Sequence, residues 1–155
     1  MDLYKDFADL CSLLNAKAVE YLIVGGHAVA FHGAPRYTGD LDFLVGPSIE
    51  NVTRMLNAIR EFGFPSADLA PEYLIEQQKI VQMGHVPVQV HIMTRISGVS
   101  WDEAWNSREA GAYAGVPVFF IGRTPLVMNK LSTGRTKDRA DVEALARKPR
   151  TSGSS

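Results

Sequence analysis

The chain has 155 residues, 46% of them apolar and 21% charged, and its sixteen basic residues against seventeen acidic ones leave a net charge of −1. That is enough for one globular domain with a buried core, and the composition excludes a disordered, collagen-like or strongly basic protein. No apolar run approaches the ~18 residues of a membrane span, and the single cysteine, Cys11, excludes an internal disulfide framework and a cysteine zinc site.

The opening segment, MDLYKDFADLC, carries acids where a signal peptide has a basic stretch and then a long apolar one, so a reducing, cytoplasmic setting is expected. The tail from Lys148, KPRTSGSS, has no apolar side chain to bury and is expected to be disordered, leaving 1–147 as a single domain.

Leu3, Phe7, Leu10, Cys11 and Leu14 recur at helical spacing and predict an amphipathic helix over 3–17, with Cys11 as a buried filler on its apolar stripe. The run Tyr21-Leu22-Ile23-Val24 stops at Gly25-Gly26, which reads as a buried strand ending in a tight turn, followed by a small-residue helix from His27 to Gly33. Over 37–45 the residues separate by parity: Leu41, Phe43 and Val45 face one side, and Thr38, Asp40 and Asp42 the other. Ser48 predicts the start of a helix carrying Val52, Met55, Leu56, Ile59 and Phe62, and Gly63 its end. A helix is expected over 68–78, a strand pair over 79–84 and 87–93, and a short helix over 101–108 opened by the capping box Ser100-x-x-Glu103. A strand over 116–121 follows, then a helix from Thr124-Pro125 to Gly134 and a last one from Thr136 to about Arg147. The order is α-β-α-β-α-α-β-β-α-β-α-α, which predicts an α/β (α+β) fold: a small mixed sheet flanked by helices, with a helical C-terminal end.

Two aspartates at i and i+2 on a strand point the same way with Cα atoms roughly 6.5–7 Å apart. Asp40 and Asp42 can therefore reach one hard divalent cation or bracket two, since carboxylate oxygens suit Mg²⁺; a solvated strand face is the plainer alternative for such a pair. The Gly25-Gly26 turn leaves backbone N–H groups at a helix start that can cradle a phosphate with no Cβ in the way. A phosphate cradle beside a metal-binding acid pair describes a nucleoside triphosphate site.

Gly25-Gly26, thirteen residues, then Asp40-Leu41-Asp42 resembles the first motif of the nucleotidyltransferase superfamily that includes DNA polymerase β. The fuller string GGHAVAFHGAPRYTGDLDFLV, the run ISGVSWDEAW and the segment NKLSTGRTKDRADVEAL are similar to its bacterial minimal, abortive-infection-type branch. The resemblance covers most of 20–147. It implies a nucleotidyltransferase fold moving a nucleoside monophosphate from a triphosphate onto a hydroxyl, with Mg²⁺ or Mn²⁺. The acceptor it implies is a small molecule, a protein side chain or a tRNA end, though the near-neutral charge does not favour a nucleic acid. A chain this short leaves little room for an acceptor domain, so a homodimer or a partner protein is a further expectation.

The family carries a third carboxylate on a neighbouring strand. Aligning Thr94 and Gly98 with the family string puts His91 at that position. Three readings stand: an imidazole acting as general base or ligand, a pocket contact without catalysis, or a plain polar residue on the sheet. The last two lead to a different class of protein, a nucleotide-binding or regulatory module that has lost turnover, in one version half of a toxin–antitoxin pair. By the same resemblance Lys130 lies near the triphosphate tail, with Arg135 and Lys137 at the mouth of the cleft. Their alternative is a solvated helix face where acids and bases pair. Arg36 and Thr38 are candidate nucleotide contacts or turn residues after Pro35. His27 is expected at the pocket, His32 in a structural role, and Trp101 and Trp105 against the core.

Overall fold

The computed structural model describes residues 3–34, 39–64, 69–78, 80–85 and 88–147. Its helices are α1 (Leu3–Ala16), α2 (Gly25–Phe31), α3 (Ile49–Phe62), α4 (Pro71–Gln77), α5 (Trp101–Asn106), α6 (Arg123–Thr133) and α7 (Thr136–Arg147). Its strands are β1 (Tyr21–Val24), β2 (Asp40–Val45), β3 (Val81–His85), β4 (Val88–Met93), β5 (Glu109–Tyr113) and β6 (Val116–Phe120). The strands form one mixed sheet in the order β3-β4-β2-β1-β6-β5. β2 runs parallel to β4 and β1 parallel to β6, and the other neighbours are antiparallel. Among the described residues no helix is long and apolar enough to cross a membrane.

The parity of β2 sets the two faces of the sheet. Leu41, Phe43 and Val45 are buried while Asp40 and Asp42 are half-buried on the opposite side. The core face receives α1 through Leu10, Cys11 and Leu14 and α3 through Val52, Met55, Leu56 and Ile59. Tyr21 meets Phe43 edge-on there, with ring centroids 5.3 Å apart. At ~25 cal/mol per Å² of apolar surface, each fully buried large side chain of this set contributes roughly 1.5–3 kcal/mol. Asn51 on α3 donates to the carbonyls of Glu20 and Gly46 at 2.9 and 3.0 Å and accepts from Glu20 N–H at 2.8 Å, which ties the start of β1 to the end of β2.

Local chemistry places the helix ends where the sequence puts them. Ser48 accepts from Asn51 N–H at the head of α3, and Gly63 closes it with a left-handed φ of 108°. The Ser100–Glu103 capping box is complete at the head of α5. Cys11 is fully buried, and burial pushes its thiol up to about 12, against a hydrogen bond with Tyr21.

Three expectations change. α2 begins at Gly25, not His27, and α6 takes Gly122 as its N-cap, ahead of Thr124-Pro125. β5 is an extra strand over residues for which no element is predicted. Glu109-Ala110-Gly111-Ala112-Tyr113 has no β-branched residue, and pairing with β6 through a turn whose Ala114 and Gly115 both have positive φ makes it a strand. Gly111 admits the stacked rings of Phe31 and Phe120, whose centroids lie 4.1 Å apart; a Cβ there would come within 2.8 Å of Phe31. The expected strand segment before Gly39, residue Asp68 of the expected fourth helix, and the tail from Lys148 lie outside the described residues.

Candidate active site

The face of the sheet opposite α1 and α3 carries the polar residues. Register places Asp42 between Val24 of β1 and His91 of β4, Gln89 beside Asp40, and Gln82 of β3 beside His91. His91 Nδ1 lies 2.8 Å from Asp42 Oδ1. A carboxylate only accepts, so Nδ1–H donates; Nε2 lies 3.3 Å from the Gln89 side-chain amide and is an unprotonated acceptor when that amide turns its NH2, not its oxygen, toward the ring. Both side chains of the pair keep about a fifth of their surface open, 21% for His91 and 20% for Asp42.

The β1–α2 turn presses on the same carboxylate. Gly25 sits at φ +69°, and a Cβ on it would lie 2.1 Å from Asp42 Oδ2. Glycine here is required twice, by the left-handed backbone and by the close approach. Val24, the N-cap of α2, makes no side-chain capping bond, and Gly25 and Gly26 at the start of this helix line the cleft on this face of the sheet. His27, two residues on, packs against the Tyr113 ring at 5.3 Å. Burial pushes its pKa down, against the pull of the Asp42 and Asp40 charges.

Gly25, Gly26, Asp40, Asp42, Gln82 and His91 floor a cleft of about 550 Å³ whose far wall is α6 and the start of α7, with Lys130, Arg135 and Lys137 on it; His27, expected at the pocket, is not on its wall. Lys130 is buried, and its Nζ lies 3.0 Å from both Asp138 Oδ1 and Asp141 Oδ2. Asp138 has no solvent exposure and also accepts from Thr133 Oγ1 at 2.5 Å and Arg135 Nε at 2.7 Å. Burial pushes its carboxyl up, but the bonds from Thr133, Lys130 and Arg135 outweigh this and hold it down at about 2. The charge of Lys130 is thus met by two carboxylates of α7, partners eight and eleven residues away across the α6–α7 turn. Thr133, which no sequence pattern marked, belongs to this network. Among the predicted residues, Gly25, Gly26, Asp40, Asp42, His91 and Lys130 line one cleft; Arg36 and Thr38 lie outside the described residues. His32 is buried apart from it, with Nε2–H donating to the Ile121 carbonyl at 2.7 Å. Trp101 and Trp105 stack on each other at 5.2 Å and pack partly buried on the core.

No family model and no curated protein sequence matches the chain. Several solved structures share its architecture, two of them as follows. One is a candidate nucleotidyltransferase of Thermotoga maritima, at TM-score 0.58 and 14% identity over 91% of this chain and 90% of its own. The other is the lincosamide antibiotic adenylyltransferase LnuA with lincomycin bound, at TM-score 0.58 and 12% identity over 92% and 95%. The chain has the nucleotidyltransferase fold. At these identities the likeness is one of fold, and it extends over nearly the whole length of both chains.

Within this nucleotidyltransferase fold the donor set can be tested against a divalent ion. Among the described residues no group of three His, Cys, Asp or Glu side chains is placed to hold a metal by itself. Two carboxylates on one strand face are nonetheless the protein share of a typical Mg²⁺ site, where waters and substrate phosphates complete the shell. Asp40 and Asp42 could thus supply two oxygen ligands of a divalent ion, with the rest of the shell coming from outside the protein.

Proposed function

We propose that this chain is a metal-dependent nucleotidyltransferase that moves a nucleoside monophosphate from a nucleoside triphosphate to a hydroxyl of an acceptor. The observation that carries this is the floor of the cleft: Asp40 and Asp42 on one strand face, Gly25 pressed against Asp42, and His91 in register beside them.

Mg²⁺ or Mn²⁺, held by Asp40 and Asp42, supplies neutralisation of phosphate charge when bound. The chain's own residues do the rest. The N–H groups of Gly25 and Gly26 meet phosphate oxygens, with Arg135 and Lys137 at the cleft mouth attracting the triphosphate. Lys130 braces α6 against α7 through Asp138 and Asp141, and so holds that wall in place. Asp42 fixes the His91 ring with Nδ1–H toward the carboxylate, so Nε2 is the atom that takes the acceptor proton, the orienting logic of a catalytic triad. As that proton moves to Nε2, the acceptor oxygen bonds to the α-phosphorus. The bond from phosphorus to the bridging oxygen breaks, and pyrophosphate leaves with the electron pair.

One fold neighbour, by its name, adenylylates a lincosamide antibiotic and holds lincomycin; this supports a small-molecule acceptor over a tRNA end or a protein side chain. A second reading, a nucleotide-binding module without turnover, follows from the resemblance in sequence, which puts His91 where the superfamily carries a third carboxylate. Incubation with each of the four triphosphates, Mg²⁺ or Mn²⁺ and an acceptor pool separates them. Pyrophosphate release by wild type, lost in His91→Ala with nucleotide affinity retained, supports the enzyme. Binding without release, and release gained on His91→Asp, supports the module.

A further inference from the structure

Gln89 meets the second ring nitrogen of His91, and nothing in the reading above uses it. The two residues are i and i+2 on β4 and so share a face of the sheet. Register sets Gln89 between Asp40 of β2 and Gly84 of β3, and Gly84 has no side chain to compete for the amide. The amide lies 3.3 Å from His91 Nε2, while Nδ1 is 2.8 Å from Asp42 Oδ1. Both ring nitrogens are therefore met by side chains, one firmly and one at the long end of hydrogen-bond range. Among the described residues this is the only hydrogen bond of the Gln89 side chain, so the amide turns over without breaking another. Gln89 is half-buried and stands off the cleft wall that His91 lines, which makes it a support for the ring.

A glutamine carries what this position needs in both states of the ring. Its NH2 donates to a bare Nε2, and a half-turn of the amide brings Oε1 round to accept from Nε2–H. A glutamate only accepts, a lysine only donates, and an apolar side chain does neither. A carboxylate in place of His91, as the superfamily carries, has no ring nitrogen to orient, so this role of Gln89 belongs to the imidazole.

We infer that Gln89 is a positioning residue for His91: its amide holds the ring with a bare Nε2 by donating NH2 to it, yields that place to the acceptor hydroxyl, and turns over to accept from Nε2–H once the proton has moved. The inference rests on the nucleotidyl-transfer reading. In the transfer step the hydroxyl oxygen bonds to the α-phosphorus and its proton passes to Nε2. Pyrophosphate leaves with the electron pair of the bond that breaks. A contact of 3.3 Å is weak enough for a hydroxyl to displace.

The test uses the full chain and diethyl pyrocarbonate, which acylates a bare imidazole nitrogen, at one fixed pH. The His91 side chain is 21% open, so the reagent reaches it. Modification is followed by mass spectrometry of the His91 peptide, with the other three histidines, His27, His32 and His85, read in the same digest. Gln89→Met, of equal length, uncovers Nε2 and is expected to react about fivefold faster than wild type, the worth of one neutral hydrogen bond. Gln89→Glu places a hydrogen on Nε2 and is expected to react at least tenfold slower than wild type. Gln89→Met should keep its affinity for Mg²⁺–ATP within twofold, while both variants slow pyrophosphate release. Wild type reacting like Gln89→Met would mean that the amide covers nothing, and wild type reacting like Gln89→Glu that it holds a hydrogen on Nε2. Either result overturns the inference and leaves the nucleotidyl reading standing, as would the same rate changes at His27 and His85, which mark a general loosening of the fold. Wild type that keeps the ordering but releases no pyrophosphate in the assay above would overturn the role in transfer together with that reading.

Discussion

Gly25→Ala is the sharpest perturbation of the site, and Gly134→Ala is its matched control. The two glycines have nearly the same left-handed φ, +69° and +71°, but an added Cβ meets nothing within 4 Å at Gly134 and lies 2.1 Å from Asp42 Oδ2 at Gly25. The left-handed conformation costs a non-glycine residue roughly 1–2 kcal/mol, which for a chain of this size lowers Tm by about 2–8 °C, and both variants should show it. At Gly25 the contact is also about 1.3 Å short of the 3.4 Å at which ordinary contact begins, so the Asp42 carboxylate must turn away. Turning it breaks the 2.8 Å bond from His91 Nδ1–H. Paired ¹⁵N spectra of the histidine rings and calorimetric titration with Mg²⁺–ATP read the two consequences. Gly25→Ala should shift the His91 ring nitrogens and lose at least tenfold in nucleotide affinity, while Gly134→Ala keeps both. Unchanged His91 resonances and wild-type affinity in Gly25→Ala would refute the claim that the turn sets the position of Asp42.

Three further outcomes are expected. Lys130→Met leaves Asp138 and Asp141 buried beside one another without their cation, and breaking a buried pair of this kind costs roughly 3–5 kcal/mol; urea unfolding should show the loss, and adding Asp141→Asn should recover part of it. Asp138 has a folded pKa of about 2, below its unfolded value, so its contribution of about 2 kcal/mol is present above pH 4 and disappears as pH falls through 2. The stability difference between wild type and Asp138→Asn should therefore shrink over that window, measured by unfolding at successive pH values. His91→Gln should lower transfer by roughly 10²–10⁴-fold with nucleotide affinity unchanged, as for loss of a general base, measured by single-turnover pyrophosphate release.

The residues that were legible from the sequence are those whose chemistry is local. Ser48, Gly63 and the Ser100–Glu103 box act within a few residues of themselves, and the alternation that sends Asp40 and Asp42 to one face is intrinsic to a strand. The register that brings His91 to Asp42 is a tertiary fact, and only the resemblance to the superfamily brought His91 forward. β5 was hidden because Ala, Gly and Glu carry little strand preference; its partner β6 and the Ala114-Gly115 turn make it a strand. Lys130 shows the same limit. Helical spacing suggested pairing along one helix, whereas its carboxylates come from the next helix across Gly134, a geometry that no spacing rule contains.

The central claim is that Asp40 and Asp42 make a metal-dependent nucleotide site. Its most direct test is calorimetric titration of the four triphosphates into wild type and into Asp40→Asn/Asp42→Asn, with Mg²⁺ and with EDTA. The account predicts saturable binding of at least one triphosphate to wild type that is lost both in EDTA and in the double variant, with the fold retained by circular dichroism. Binding that survives both changes, or none to wild type under any condition, would contradict it.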